Sequence, residues 1–335
     1  MSGKVFHAPF INFHQGFTLV GAWERSKELI QQDYPETFSF NSLEAILNDN
    51  NVELIVVNTP TNTHYEYTRK ALEAGKHVVV EKAFTTTFQE AVDLANLAAE
   101  KDLMLSVFQN RRWDSDFSTV RNVIKSGILG EINSATFNFL RFKPALHTKL
   151  HKETAGPGAG LLNDLGPHLI DQALSLWGMP HAVHGDLRML RNDTHVDDDF
   201  TVTLHYNNMR VTLRSSLMVC APQPAYLLNG SLGSFVKNRT DKQEDLLKMG
   251  AIPDGENWYT EPPVDYGLLY TQENDVLNAS YIKSEQGSYL NYYEGIYHAI
   301  ANGAAVPVTA QDGINTMRII EAAAESSRSG KLVLL

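Results

Sequence analysis

An imidazole with one carboxylate four residues before it and another three after it can move protons if all three share a helix face. The segment GAGLLNDLGPHLID, residues 158–171, sets Asp164, His168 and Asp171 at that spacing, behind a loop of glycine and alanine. At 100° per residue the three positions fall within about 60° of one another. A polar face in solvent is the plain alternative. Against it, Leu161, Leu162, Leu165, Leu169 and Ile170 make the segment mostly apolar. Such a helix is expected to be buried, and buried ionisable groups need partners or a task. Pro167 removes one backbone hydrogen bond, so the helix either bends there or begins near Gly166; His168 and Asp171 stay one turn apart in both cases.

Other candidates lie at the ends of expected strands. Lys82 closes VVVEKAF, at a carboxyl strand end where parallel sheets place their ligands, although a solvated lysine is the simpler reading of that fact alone. Thr59, Pro60 and Asn62, in VVNTPTNTHYE, form a turn into a helix whose amino end could meet a phosphate or a ribose. In QNRRWDSDF, Arg111 and Arg112 stand beside Trp113, either at a domain junction or on ligand oxygens. His147 and His151 of HTKLH have a zinc-compatible spacing but no evident third ligand, so no metal site is expected. HVDDDF reads as a solvated turn before a strand, and Cys220 as a core residue.

Strand and helix patterns alternate through the first hundred or so residues. Strands are expected at 17–23, 52–60, 76–82 and 103–109, with helices beginning near Ser26 and spanning 42–50, 63–75 and 87–102. Continuous Val/Ile/Leu strands separated by helices imply a parallel sheet covered on both faces, a doubly wound, Rossmann-like architecture. After about residue 110 the period becomes two, in INSATFNFLRF, HAVHGDLRMLR, DFTVTLHYN, MRVTLRSSLMV and AYLLNGSLGSFVK. This indicates an α+β domain with a large, mostly antiparallel sheet. Helices at 291–302 and 311–330 close the chain, and 240–288 reads as loops with short strands. The division expected is a dinucleotide-binding domain over 1–110 and a substrate-binding and oligomerisation domain over 111–335.

Composition narrows the partners. With 335 residues and a formal charge of −11, the chain is a poor match for nucleic acid or an anionic membrane surface. No apolar run approaches the roughly 20 residues of a membrane span, and the first residues do not resemble a signal peptide. A single cysteine excludes an internal disulfide, and a cytoplasmic location is expected.

The beginning is unusual for this architecture. A doubly wound domain opens with a strand and G-x-G-x-x-G before its first helix, whereas here MSG runs directly into the apolar helix KVFHAPFINFHQG. Gly3 fits the third glycine of that fingerprint. Glu24 then lies at the end of the next strand, where an acidic residue binds the adenosine ribose. The first strand, central between those at 17–23 and 52–57, is apparently missing. We therefore expect a start some ten residues upstream, and poor folding or poor dinucleotide binding in the chain as given.

TPTNTHYEYTRKALEAGKHVVVEKAF, QNRRWDSDF and GAGLLNDLGPHLIDQALSLWG together resemble the glucose–fructose oxidoreductase/inositol dehydrogenase/rhizopine catabolism (Gfo/Idh/MocA) family over nearly the whole chain. SGKVFHAPF and QNRRWDSDF are most similar to its scyllo-inositol dehydrogenase branch. The resemblance implies that Lys82 of Glu81-Lys82 sits beside nicotinamide and substrate, and that Asp164 and His168 line the substrate pocket. Ala83 departs from the family's Glu-Lys-Pro motif. The activity implied is NAD(P)-dependent hydride transfer at a secondary alcohol of a polyol, inositol or sugar. Such a step needs a base for the hydroxyl proton and charge stabilisation at the developing alkoxide. His168 suits the first, its ordinary pKa being near about 6.5, and Lys82 the second. Asp164 would orient His168 or bind a neighbouring hydroxyl, and Asp171 would hold the helix or the other ring nitrogen. Cofactor contacts are assigned to Gly3, Glu24, Arg25, Thr59, Pro60, Asn62, Glu81, Lys82 and Arg111. Glu24 favours NAD and Arg25 favours NADP, with a slight lean to NAD. A homodimer or homotetramer is expected. The alternatives are a non-catalytic sugar or dinucleotide sensor and an NAD-dependent glycosidase.

Overall fold

The computed structural model describes residues 2–24, 29–148, 153–254 and 258–335. A π-helical turn, Gly3–His7, leads into α1 (Ala8–Phe13), β1 (Gly21–Trp23), α2 (Ile30–Asp33), β2 (Phe38–Phe40), α3 (Leu43–Leu47) and β3 (Leu54–Val57). Then come α4 (His64–Glu73), β4 (His77–Glu81), α5 (Phe88–Glu100) and β5 (Leu105–Phe108). Ser42 caps α3 through Ala45 N at 3.0 Å, and Thr87 with Glu90 forms a capping box on α5. Val78, Val79 and Val80 of β4 are fully buried, as a central parallel strand covered on both faces requires.

The parallel strands form two separate sheets. β1 pairs with β2, and β3, β4 and β5 pair in that order. The free edges of β1 and β3 both border a cavity of about 640 Å³, lined among others by Ile11, Phe17, Ala22, Ile46 and Val56. It lies where the expected strand order has its central strand. β1 is shorter than the strand expected over 17–23, and β2 was not foreseen, its three residues being too few to show a period. The helix expected near Ser26 begins on residues outside those described, and α2 is the next described element.

The remainder comprises α6 (Ser115–Lys125), β6 (Ile132–Leu140), α7 (Leu161–Trp177), β7 (Ala182–Arg188), β8 (Asp199–His205), β9 (Arg210–Ser216), β10 (Tyr226–Gly230) and β11 (Gly233–Lys237). It ends with α8 (Gln243–Lys248), β12 (Gly267–Glu273), β13 (Val276–Ile282), α9 (Leu290–Asn302), α10 (Ala310–Ser329) and β14 (Val333–Leu334). Nine of these strands make one sheet in the order β13-β12-β11-β10-β6-β9-β8-β7-β14, antiparallel except for the β6–β9 pair. The hairpin of β12 and β13 corrects the reading of 240–288 as loops with short strands. Its outer strand is exposed along most of its length, so no apolar alternation marks it in the sequence. α7 lies against β6, β8 and β9, while α10 packs on α5, α7 and β7 and so ties the two halves together.

Candidate active site

Lys82 succeeds β4 at its carboxyl end and reaches across to the other half of the molecule. Its ammonium donates to the Asp164 backbone oxygen at 2.6 Å and to Asp164 Oδ1 at 3.1 Å. Behind it, Glu81 accepts from the Ser2 hydroxyl, from His7 Nε2 at 3.1 Å and from the Lys82 amide at 3.1 Å. Burial would raise the Glu81 pKa, but these donors and the Lys82 charge outweigh it and bring the carboxyl down to about 2. Glu81 is therefore a firm anion that holds the start of the chain against the strand end. The Lys82–Ala83 peptide bond is cis. The buried His64 ring lies between the Ala83 and Thr59 carbonyl oxygens, 2.8 Å from each, and so couples the loops after β3 and β4. Pro60 caps the short turn Thr61–Thr63, which contains Asn62 and runs into α4.

The start of α7 depends on a carboxylate. Leu161 N donates to the Asp197 backbone oxygen at 2.8 Å and Leu162 N to Asp197 Oδ2 at 2.7 Å. Gly160 has φ of 92°, and a Cβ built there would stand 1.9 Å from Asp197 Oδ1, so only glycine fits. Burial pushes the Asp197 carboxyl up to about 6 against these hydrogen bonds. HVDDDF is accordingly not a solvated turn: Asp198 pairs with Arg191 at 2.8 Å and Asp199 with Arg188 at 2.8 Å. Three adjacent carboxylates read as solvated because the local pattern does not show their partners.

α7 runs unbroken through Pro167, so Asp164, His168 and Asp171 share one helix. Their surroundings differ. Asp164 is 54% exposed beside Lys82, whereas His168 and Asp171 are buried. Neither carboxylate hydrogen-bonds the imidazole. Of the two roles expected for each, contact with the ring therefore drops out, while the other, a neighbouring hydroxyl for Asp164 and holding the helix for Asp171, stays open. Asp171 instead takes Arg112 in a two-pronged pair, Nε to Oδ2 at 2.8 Å and Nη2 to Oδ1 at 2.7 Å. His168 Nδ1 is buried without a hydrogen-bond partner among the described residues. Burial, and after it the charges of Lys82, Arg111, Arg239 and Arg141, lowers its pKa well below 6.5. Both effects favour the neutral ring at physiological pH.

Arg111 follows β5 and turns to the larger sheet, where α8, which carries its partner Glu244, also packs on Gly3–His7. Arg111 pairs with Glu244 at 2.7 Å and Asp114 at 3.4 Å, with its Cζ 5.5 Å from the Phe139 ring centre. Arg141 and Arg239 approach the same ring to 4.7 and 4.3 Å. Sequence reasoning missed both of these arginines and Phe139. The available signal was an arginine after each of two strands, FNFLR and SFVKNR. Asp114, between Arg111, Arg239 and the Tyr289 hydroxyl, is pushed up to about 8 by burial.

At the other expected cofactor positions, a Cβ on Gly3 would stand 2.5 Å from Asn58 Nδ2, so this glycine permits close helix–strand packing. Glu24 Oε2 accepts from Leu29 N at 2.6 Å and Ile30 N at 3.0 Å, which ties the residue after β1 to the start of α2. Arg25 and His151 lie outside the described residues. Among the described residues no three His, Cys, Asp or Glu side chains group as metal ligands, and no helix is long and apolar enough to cross a membrane. Cys220 is exposed, not core, because it comes after β9 where the chain leaves the sheet.

Two family models divide the chain. The oxidoreductase family NAD-binding Rossmann fold matches residues 1–109, and the oxidoreductase family C-terminal alpha/beta domain matches residues 121–335. Among curated relatives, the scyllo-inositol 2-dehydrogenase (NADP(+)) IolW of Bacillus subtilis is 39% identical over 335 residues, covering 100% of this chain and 93% of that protein. The oxidoreductase YdgJ of Escherichia coli is 37% identical over 327 residues, covering 98% and 94%. Among solved structures, the oxidoreductase yvaA of Bacillus subtilis superposes with a TM-score of 0.96 at 40% identity, covering 100% of this chain and 95% of the other. One from Bacteroides fragilis gives 0.90 at 43%, covering 100% and 96%. The chain belongs to the Gfo/Idh/MocA oxidoreductase family, with an NAD-binding Rossmann fold in front of the family's C-terminal α/β domain.

Proposed function

We propose that the protein oxidises a secondary alcohol of a polyol, inositol or sugar, with a nicotinamide cofactor accepting the hydride. The observation that carries this reading is the contact of Lys82 with Asp164, one helical turn before a buried, neutral His168. The ammonium polarises the substrate hydroxyl and stabilises the alkoxide as its proton leaves, and the imidazole takes that proton. Asp164 holds the ammonium in place. Arg112 and Asp171 fix the helix that carries the base. Residues at the carboxyl ends of β3, β4 and β5 fit the cofactor. Gln109, just after β5, keeps a buried side-chain oxygen without a partner among the described residues, as an acceptor awaiting a ligand donor would. Thr59, Pro60, Asn62, Glu81 and Lys82 are assigned to the nicotinamide end, and Gly3 and Glu24 to the rest of the cofactor.

The negative charge of Glu24 at the end of β1 favours a free ribose hydroxyl over a 2′-phosphate, and we assign NAD. A clearly lower dissociation constant for NADP would reverse that assignment. The exposed strand β13, with Val276, Leu277 and Tyr281 open to solvent, supports assembly through the large sheet as a homodimer or homotetramer of a cytoplasmic enzyme. A monomer by light scattering at micromolar concentration contradicts it. The function itself is tested by supplying inositols, hexoses and sugar acids with each cofactor and monitoring nicotinamide absorbance. Absence of reduction with all of them sinks the reading.

A further inference from the structure

Two deeply buried arginines are fully paired. Arg112 is held by Asp171 and Asp312, and Arg191 by Asp198 and Glu153, so each buried guanidinium has its charge matched by carboxylates. The cluster around Phe139 breaks that pattern. Arg111, Arg141 and Arg239 bring their guanidinium carbons to 5.5, 4.7 and 4.3 Å from the ring centre, from the turn after β5 and the ends of β6 and β11. Arg111 is matched by Glu244, yet its buried Nε has no partner among the described residues. Among the described residues Arg239 has one carboxyl in contact, Asp114 at 3.7 Å, with the Tyr226 hydroxyl and the Asn138 carbonyl oxygen each at 3.3 Å. The half-buried Arg141 guanidinium makes neither a hydrogen bond nor an ion pair with any described side chain or backbone group.

The carboxylates nearby are occupied. Asp164 serves Lys82, Glu244 serves Arg111 and Lys248, and Asp116 accepts from the Thr240 and Asp241 amides. Among the described residues, positive charge is thus left in excess beside His168, and Arg141 has no carboxylate in direct contact. Desolvating that charge costs free energy unless something else supplies the anion. A hydroxyl satisfies an N–H donor but leaves the charge. A planar carboxylate or a phosphate matches the guanidinium fork and removes it.

We infer that the substrate of this site is an acidic polyol, a sugar acid or sugar phosphate whose anionic group is held by Arg141 with Arg111 and Arg239 over Phe139. This rests on the dehydrogenase reading above and adds the substrate's charge to it. The arginines hold the anionic end, while Lys82 and His168 act on a hydroxyl of the same molecule.

The test is calorimetric binding of gluconate, glucose 6-phosphate and myo-inositol to the protein, with nicotinamide reduction measured in parallel. At least one acidic ligand is expected to bind about 10-fold or more tighter than the neutral polyol. Gluconate and glucose 6-phosphate separate a carboxylate site from a phosphate site. Arg141→Gln should abolish the preference, and Arg141→Lys should keep part of it. The ligand-free melting temperature should not fall in Arg141→Gln, since no structural partner is lost; a clear fall marks a structural arginine. Equal binding of the neutral and acidic ligands overturns the inference, as does a preference that survives Arg141→Gln. If acidic ligands bind preferentially but none is oxidised with either cofactor, the dehydrogenase reading fails and the anion site stands.

Discussion

Asp171→Asn should be among the most damaging single-atom changes in this protein, although the side chain touches no substrate. The pair it breaks has side-chain exposures of 13% for Arg112 and 3% for Asp171, and both carboxylate oxygens accept from the guanidinium, at 2.8 and 2.7 Å. Asparagine keeps one acceptor and turns the other into a donor facing a donor. Arg112 would retain the amide oxygen, Asp312 at 3.4 Å and the Pro307 carbonyl oxygen at 3.3 Å, but no carboxylate in a two-pronged pair. Breaking a buried pair from one side costs about 3–5 kcal/mol, because a charge is left in a poor solvent. Replacing both partners, as in Arg112→Met with Asp171→Leu, should cost less than Asp171→Asn alone, because no orphaned charge remains. Urea unfolding of the two variants and the parent measures the difference. Activity should fall with stability in the single variant, because the pair joins the turn after β5 to the helix that carries His168. A single variant within about 1 kcal/mol of the parent refutes the reasoning, as does a double variant less stable than Asp171→Asn.

Lys82→Ala and His168→Ala should each lower turnover by at least about 100-fold, and together by much less than the product, since both act on one oxygen; near-normal turnover in either removes that residue from the mechanism. Burial and four neighbouring cations favour the neutral His168 ring, so its proton is taken up only at low pH. The acid limb of kcat/KM should therefore be centred below about 6.5, and a midpoint at or above that value contradicts the assignment. Gly160→Ala combines a φ of 92° with a Cβ 1.9 Å from Asp197 Oδ1, and should destabilise by about 2 kcal/mol or more. An unchanged melting temperature would show that Asp197 moves aside without cost.

Legibility in the sequence depended on the reach of the interactions. The β3–β5 strands and their helices were readable because continuous valine runs, the Ser42 and Thr87 caps and the glycine after α4 act within a few residues. Lys82, Asp164 and His168 could be singled out from their local setting, and the structure brings the first two into contact. Long-range pairings were not readable. Asp171 could not be matched to Arg112, nor Asp197 to the start of α7, because nothing in the local pattern names a partner tens of residues away. Phe139, Arg141 and Arg239 were missed for the same reason. They meet only when β6, β11 and the turn after β5 are assembled.

With no hydrogen-bonded strand between β1 and β3 among the described residues, the parallel half of the chain as given should open as two units. No ladder of hydrogen bonds crosses the cavity between described strands, so the β1–β2 pair can open without first breaking anything in β3, β4 and β5. Amide exchange should resolve them. Ala22 and Ser39 would exchange through a local opening, at a free energy well below that of the whole molecule. Val79 and Val80, fully buried between two paired neighbours, would exchange only when the entire sheet unfolds. Glu24, at the end of β1, rides on the looser unit, and Lys82 on the tighter one. The adenosine end of a dinucleotide would then gain its order on binding, against a nicotinamide end already in place.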